Sequence, residues 1–342
     1  LLKLPPGDRF KTFEKLDFLT FAILASGVAL LCAVLSLGRI DWWLEAPWIG
    51  VASACSLVLI MTGLAIEHNR ANPLLMTRWL GSGTMIRLAL AVILIRMVLS
   101  EQSTGAVGFM QMLNMSYQQM HTLYVVMLAG AVAGLVVSAL TINPAHLLMP
   151  LVISLALMAT GSVMDSFSSN LTRPQNLYIS QFLLGFGGTF FLGPTMVLGT
   201  KNVLTNPRNL VSFSVMFGIC QNLGGLIGAA LLGTFQVVRE KFHSSMIVEH
   251  LTLLDPRVAA RVQSGGAAYG GIVADPDLRN LMGIRSLATA ATREANVMAY
   301  NDVFMLIAIV AILTMLWIFT RSLWLLSTTK AATPVQPSGA SS

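Results

Sequence analysis

Two ionisable residues lie inside an apolar stretch of this sequence that is long enough to cross a lipid bilayer. Arg96 and Glu101 belong to the segment IRMVLSEQSTG, within an apolar run at residues 88–110. A charged side chain at the centre of a bilayer costs at least about 2.5–3.5 kcal/mol to insert. Such residues therefore need partners on neighbouring helices or a water-filled cavity, and they indicate a pathway for an ion or a substrate.

The spacing of the two charges argues against a direct ion pair on one helix. Five residues place Glu101 about 140° around and about 7.5 Å along an α-helix from Arg96, whereas close neighbours are three or four residues apart. The same polar arc holds Ser100, Ser103 and Thr104. Gln102 falls on the apolar side, so we expect its side chain to extend toward a membrane surface.

Two interpretations of this arc remain open. In the functional one, the arc lines a polar pathway, Arg96 binds an anionic group or tunes Glu101, and Glu101 carries a proton. In the structural one, the two residues form contacts between helices that fix the packing.

Amide side chains in other apolar runs are further candidates, because an amide in lipid must form hydrogen bonds. Gln181 is a weak candidate near one end of the run 179–199. Gln221 and Asn222 lie side by side in the run 211–234.

Glycine spacing predicts close helix packing at two places. Gly130 and Gly134 form one GxxxG motif and Gly224 and Gly228 form another, and this spacing lets helix backbones approach closely. Pro194 lacks an amide hydrogen and is expected to kink its helix.

Metal, cofactor and enzymatic chemistry find no support in the sequence. The three cysteines lie inside apolar runs, where a thiol acts as a small apolar group. The motifs of nucleotide-binding loops, zinc proteases and serine hydrolases are missing. Asp165 is expected to be solvated at a membrane surface, and the five histidines are expected at helix ends or in loops: His68, His121, His146, His243 and His250.

The composition predicts an all-α polytopic membrane protein. Of the 342 residues, 55% are hydrophobic and only 11% are charged, and the mean hydropathy is +0.73. About 20 apolar residues are needed for one spanning helix, whereas the strands of a barrel are shorter and alternate. We find eight such runs, at residues 18–37, 48–66, 88–110, 123–140, 147–164, 179–199, 211–234 and 303–325.

Charge distribution predicts the topology. With eight spans both termini lie on one side, and basic residues concentrate on the cytoplasmic side. One set of short segments carries eleven basic residues, and the opposite loops carry only Arg39 and Arg173. We therefore expect both termini in the cytoplasm and the chain in the cell membrane, that is, the inner or plasma membrane. The net charge of +6 does not indicate a nucleic-acid partner here. The eleven are Lys3, Arg9, Lys11, Lys15, Arg70, Arg78, Arg87, Lys201, Arg208, Arg321 and Lys330.

The long segment 239–301 is predicted to be an outer loop with structure of its own. Asp255 and Asp275 each precede a proline, as an N-cap precedes the first helical position, so we expect two short helices. The sequence SGGAAYGG at 264–271 is predicted to join them flexibly. The loop is either a connecting hairpin or an element that gates or docks a partner. The tail 326–342 is expected to be disordered.

Several motifs, taken in order, resemble a known family. They are NPLLMTRWL before the third run, FMQMLNMSYQQM after it, QFLLGFGGTFFLGP in the sixth, QNLGGLIGAALLG in the seventh and AYNDVF before the eighth. The chain resembles the C-terminal portion of the fourteen-helix drug:proton antiporters of the major facilitator superfamily, the EmrB/QacA group.

The resemblance implies a domain organisation and a function. Residues 1–16 would be a cytoplasmic linker, 17–67 two extra transmembrane helices, and 68–325 the C-terminal six-helix bundle. The function implied is proton-coupled efflux of drugs or other small molecules by alternating access. The chain would begin partway through a longer protein and be inactive without the N-terminal six helices. Its partners would be the lipid bilayer, a small-molecule substrate, protons and that N-terminal half.

The chain departs from the family at two places, and two other functions remain open. The family commonly has Arg where this chain has Gln221, and Arg96 and Glu101 are unusual in it, which suggests a substrate with an anionic group. The alternatives are an importer of the same superfamily and a membrane scaffold that does not transport. A scaffold predicts that protein, not water, surrounds the polar arc.

Overall fold

A computed structural model describes residues 14–144, 147–201 and 208–331, and all regular structure in them is helical. The helices are α1 (Lys15–Leu37), α2 (Pro47–Asn69), α3 (Thr77–Leu80), α4 (Gly83–Ser100), a π-helix (Glu101–Val107), α5 (Gly108–Met112), α6 (His121–Thr141), α7 (Leu148–Asp165), a 3₁₀-helix (Pro174–Leu177), α8 (Tyr178–Phe190), α9 (Leu192–Lys201), α10 (Arg208–Glu249), α11 (Pro256–Ala267) and α12 (Pro276–Ala331).

Eight helical segments in the described part of the chain are long and apolar enough to cross a membrane, one for each predicted run. The third run comprises α4, the π-helix and α5, and the sixth comprises α8 and α9. The prediction of an all-α polytopic membrane protein is confirmed. No strand occurs within the described ranges.

The third run is not a uniform α-helix. Its middle, Glu101–Val107, is a seven-residue π-helix, whose hydrogen bonds span five residues instead of four. A wider turn changes the direction of every side chain within it, so the angles of an ideal α-helix do not apply there. Extended π-helical turns are rare and occur often at functional sites.

The sixth run is interrupted close to Pro194, where a kink is predicted. Helix α8 ends at Phe190 and α9 begins at Leu192, two residues before Pro194. Proline cannot donate a hydrogen bond to the carbonyl group four residues earlier, which belongs to Phe190. The hydroxyl of Ser138 on α6 donates to that carbonyl oxygen at 2.8 Å instead, so a neighbouring helix stabilises the break.

The glycines of α6 pack against the backbone of α8, as their spacing predicts. A methyl group at position 130 would lie 2.5 Å from the carbonyl oxygen of Phe182. One at position 134 would collide with the carbonyl oxygen of Phe186. The close approach of these two helices therefore requires residues without a side chain.

Gly130→Ala should destabilise the protein by about 1–3 kcal/mol, because the added methyl group must displace the α8 backbone. Gly218→Ala on α10 is the matched control, since a methyl group there meets nothing within 4 Å. That control should leave stability unchanged or raise it slightly, because Ala favours the helix more than Gly. Thermal unfolding of the detergent-solubilised variants measures both. Equal melting temperatures would contradict the packing role of Gly130.

The chain divides into two compact units. Among the described residues, the first comprises 14–90, 199–201 and 208–223, and its α1 and α2 pack against each other. The hydroxyl of Ser56 donates to the carbonyl oxygen of Gly27 at 2.7 Å across this contact. A methyl group at position 27 would lie 2.9 Å from Ile60, so the two backbones are close.

A cluster of charges joins the ends of α1 and α2. The Arg70 side chain is 8% exposed, and its guanidinium lies 2.9 Å from Glu14, 2.7 Å from Asp17 and 2.9 Å from Glu67. Glu67 also accepts a hydrogen bond from the backbone N–H of Leu75. Burial lowers the pKa of the Arg70 guanidinium, but its hydrogen bonds to the three carboxylates outweigh this effect and raise the pKa above its ordinary value.

The second unit comprises, of the described residues, 91–144, 147–198 and 224–331. Helix α7 packs on α8 and α12, and α8 also packs on α6. Leu155, Met158 and Leu184 are almost completely buried in the resulting core. This core holds the third run against the helices that carry the candidate site.

Two helices are far longer than a membrane is thick. Helix α10 has 42 residues and α12 has 56, which correspond to about 63 Å and 84 Å at 1.5 Å per residue. The hydrocarbon core measures only about 30 Å. Each helix therefore extends beyond it, and α11 packs along α12.

The segment 239–301 agrees with the prediction only in part. Asp255 caps α11 by accepting a hydrogen bond from the N–H of Arg257, as expected. The predicted second short helix is wrong, because the helix that Asp275 caps continues into the eighth run. The predicted flexible joint is partly wrong, since its first four residues, 264–267, belong to α11.

The chain ends lie mostly outside the described residues. Residues 1–13 of the predicted linker and residues 332–342 of the predicted tail are not among them. Residues 326–331, which were expected to be disordered, continue α12.

Candidate functional site

Three buried polar side chains from three helical segments meet in the second unit. The Gln181 amide nitrogen Nε2 lies 2.7 Å from Asp165 Oδ2 and 3.2 and 3.1 Å from the two carboxylate oxygens of Glu101. One amide nitrogen therefore bridges the two carboxyl groups. We call Glu101, Asp165 and Gln181 the paired-carboxyl site.

Helix ends position the three residues. Glu101 is the first residue of the π-helix, Asp165 is the last residue of α7, and Gln181 is in the first turn of α8. A helix C-terminus carries a partial negative charge, which disfavours the anionic form of Asp165. All three side chains are almost completely buried, with exposed fractions of 0%, 1% and 0%.

The surroundings of the site disfavour two negative charges. None of the ion pairs found among the described residues involves Glu101 or Asp165. Two adjacent carboxylates in a protein interior cannot both ionise without a large cost, and such pairs share a proton. The arrangement is therefore suited to binding and releasing one proton.

The side-chain carbonyl oxygen Oε1 of Gln181 accepts no hydrogen bond from the described residues. Its amide nitrogen faces the carboxyl groups, so its carbonyl oxygen Oε1 points elsewhere, and this oxygen is buried. Buried carbonyl groups almost always have a donor. Gln181 thus presents an acceptor for a water molecule next to the carboxyl groups.

The Arg96 side chain lies beside Gly224 and Gly225 of α10. No described ion pair joins it to Glu101. Its side chain is half-buried and passes Gly224, where a methyl group would lie 2.8 Å from Arg96 Cβ. Ser100 lies one turn further on, against Gly228, and donates to the carbonyl oxygen of Gly225 at 3.0 Å. Both glycines of this motif therefore pack against α4.

The remaining polar residues of the third run divide into two groups. Ser103 is exposed and Thr104 is half-buried, so this part of the arc remains accessible in the chain. The expectation for Gln102 is wrong, because its amide donates to the backbone carbonyl oxygen of Gln181 at 3.1 Å. The wide π-helical turn directs it toward α8.

Gln221 and Asn222 belong to the first unit. Asn222 is exposed and donates to the carbonyl oxygen of Gly218 on its own helix. It also lines a cavity of about 290 Å³ together with Val28 and Cys32. The hydrogen bond of Asn222 is therefore local to α10.

The prediction that Asp165 is solvated is wrong, because the residue is only 1% exposed. The residue follows an apolar run directly, and a carboxylate at such a position is usually solvated. Here the contacts with Glu101 and Gln181 enclose it. The one local signal is the polar spacing of SxxD, because Ser162 and Asp165 are both buried on the same face of α7.

A second polar cluster, not predicted from sequence, joins α10 to α12. Oδ2 of Asp302 lies 2.6 Å from Arg239 Nε and 2.6 Å from His243 Nε2. We call Arg239, His243 and Asp302 the α10–α12 triad. The prediction that His243 lies at a helix end or in a loop is wrong, because it lies inside α10 and its side chain is 10% exposed. Of the other histidines, His146 lies outside the described residues.

The described residues contain no cluster of three or more His, Cys, Asp or Glu side chains that could hold a metal ion. No profile of a known protein family matches the chain, and no curated protein is significantly similar to it in sequence. The chemistry of the site therefore has to be inferred from its own geometry.

Proposed function

We propose that the chain is the C-terminal part of a proton-coupled efflux transporter of the major facilitator type, and that the paired-carboxyl site binds the coupling proton. The observation that supports this most directly is the burial of Glu101, Asp165 and Gln181, which come from three membrane-spanning segments, with the Gln181 amide bridging the two carboxyl groups. Ionisable groups inside membrane spans are expensive and usually functional.

In this proposal the charge of the site changes with the state of the transporter. With a shared proton the pair carries one negative charge, and with two protons it is neutral and can enter a dry, closed state. Losing a proton to one side of the membrane after taking it from the other couples the proton gradient to alternating access. An N-terminal six-helix half supplies the second bundle.

The proposed topology follows from the charge bias, with both termini in the cytoplasm of the cell. The C-terminal end of α7 and the first half of α12 then face the outside. Protons would reach the paired-carboxyl site from the outer side and drive export.

Infrared titration of the purified chain tests the proton site without requiring transport. A protonated carboxyl group has its own carbonyl stretching band, and the wild-type chain should gain and lose one such band reversibly as pH changes. Asp165→Asn should remove the pH-dependent band. A band that does not change with pH in the wild type would refute the proposed proton site, since a purely structural pair keeps its proton.

The scaffold alternative is retained because one observation favours it. Glu101 and Ser100 are enclosed by protein, as a scaffold predicts, whereas Ser103 is exposed, as a pathway predicts. Ser103→Cys should therefore react with a small aqueous thiol reagent in native membranes, and Leu135→Cys, exposed on α6, should not. Equal lack of reaction at both positions would favour the scaffold.

Arg96→Ala should lower export of an anionic dye by about tenfold or more, because hydrogen bonds to charged groups contribute about 1.5–3 kcal/mol. Export of the cationic dye ethidium should change little. Arg96→Lys keeps the charge and is the matched control. Carboxyfluorescein and ethidium fluxes in cells with the complete transporter measure the effect. Dye entering faster than in empty cells would indicate an importer, and unchanged carboxyfluorescein export would exclude a role for Arg96 in substrate choice.

A further inference from the structure

The α10–α12 triad has the composition of a proton relay rather than of a simple ion pair. One carboxylate oxygen of Asp302 accepts from both Arg239 and His243, and Arg239 Nη2 lies 3.4 Å from His243 Nε2. Since Arg239 already balances the charge of Asp302, the imidazole is not needed for neutralisation. The other nearby charges on α10, Glu240 and Lys241, pair with each other at 3.2 Å.

The triad is half-open to solvent. The side chains of Arg239 and Asp302 are 31% and 33% exposed, whereas His243 is 10% exposed. A proton from bulk water can therefore reach the triad, although it cannot directly reach the paired-carboxyl site, whose side chains are fully enclosed.

Asn301 links the triad to the turn that follows Asp165. It precedes Asp302 in sequence, and its amide nitrogen donates to the carbonyl oxygen of Ser168 at 2.9 Å. The N–H of Ser168 in turn donates to the backbone carbonyl oxygen of Asp165 at 3.1 Å. Three residues along α12, Phe304 lies against Gly105 of the π-helix. This part of α12 therefore contacts the segments that follow both carboxyl groups.

Two buried carbonyl oxygens along this connection have no donor among the described residues. They are Oδ1 of Asn301 and Oε1 of Gln181. Buried polar atoms of this kind are usually satisfied by ordered water, which conducts protons when it bridges polar groups. Asn301 contacts the turn that begins at Asp165 through Ser168, and Gln181 contacts Asp165 itself.

We propose that His243 and Asp302 collect protons from the water outside the membrane and pass them to the paired-carboxyl site through water held by Asn301 and Gln181. The inference rests on the proposed proton site and names its access route. In the neutral imidazole, Nε2–H donates to Asp302, so Nδ1 can bind an arriving proton. The Nε2 proton then moves to Asp302 Oδ2 and leaves through water, and Asp302 again pairs with Arg239. One proton has moved, and His243 is left as the tautomer that carries its proton on Nδ1. Loss of the Nδ1 proton to water and uptake of another at Nε2 restore the starting tautomer before the next cycle.

A pH jump applied to the purified chain, followed by time-resolved infrared absorption of the carboxyl band, tests the route. His243→Gln keeps an N–H donor for Asp302 but cannot relay a proton, and it should slow the appearance of the band by about tenfold or more. Asn301→Leu should slow it similarly. The final amplitude should equal that of the wild type, because the site itself is intact. His250→Gln, at an exposed position in the turn that follows α10, is the matched control and should keep the wild-type rate.

The outcomes separate the two proposals. Wild-type rates in both His243→Gln and Asn301→Leu would overturn the relay and leave the proton site standing. A lower melting temperature with an unchanged rate would show that the triad is only structural. If the wild type gives no pH-dependent band, the proton site fails and the relay fails with it. Either variant alone can refute the relay if the other does not fold.

Discussion

Glu101→Gln should abolish proton-driven export while leaving the protein folded. Gln has nearly the same shape as Glu, so it can still contact Gln181 and Asp165 in the enclosed space. It cannot take up or release a proton, however, and the remaining carboxyl group of Asp165 has no partner with which to share one. We expect at least about a 100-fold loss of pH-dependent dye export, the size typical of removing a proton-transferring side chain.

The measurement is dye efflux from cells at two external pH values, with Glu45→Gln as control. Glu45 is an exposed carboxylate in the turn between α1 and α2, and its neutralisation should have no effect. The melting temperature of Glu101→Gln should equal or exceed that of the wild type, because a costly buried acid has been removed. Retained pH-dependent export in this variant would rule out Glu101 as the coupling group.

Arg70→Met should destabilise the first unit by about 2–3 kcal/mol. Removing one partner from a buried ion pair commonly costs about 3–5 kcal/mol, because the other charge remains buried and unpaired. The value expected here is lower, since the Glu14 side chain is 46% exposed and can be solvated. Glu67 cannot be solvated in this way, because its side chain is 0% exposed.

Thermal unfolding in detergent checks this expectation. Arg78→Met is the matched control, since Arg78 is exposed on the short helix α3 and should tolerate the change. Combining Arg70→Met with Glu67→Gln should recover part of the loss, because the buried carboxylate is then neutral. A melting temperature for Arg70→Met equal to that of the control would mean that the cluster contributes nothing to stability.

The parts of the fold that depend on local sequence were predictable. The apolar runs gave the spans because length and hydropathy alone decide whether a helix can cross a membrane. The kink at Pro194 and the close packing of Gly130 and Gly134 were also predictable. Proline lacks the amide hydrogen and glycine lacks a side chain in any helix. Proline therefore always removes a helical hydrogen bond, and glycine always allows a neighbouring backbone to come close.

The candidate site was predictable only in part. Glu101 stood out because a charge in an apolar run is rare, and Gln181 because an amide in lipid needs a partner. Asp165 did not, since its one local signal is the SxxD spacing with Ser162, and nothing in the sequence indicates that the π-helix and α8 would bring Glu101 and Gln181 beside it. The directions of Gln102 and Ser103 depended on an ideal α-helix, and the π-helix invalidates that assumption.

Helix α12 has a mechanical consequence. Its first 27 residues precede the eighth apolar run, and both belong to one continuous helix, Pro276–Ala331. The helix therefore has no break between the part outside the hydrocarbon core and the part within it. A small tilt of the membrane-spanning part of α12 must therefore move the distant N-terminal end of the helix over a much larger distance. An antibody fragment bound to that end should therefore restrict the movement of the membrane-spanning part of α12.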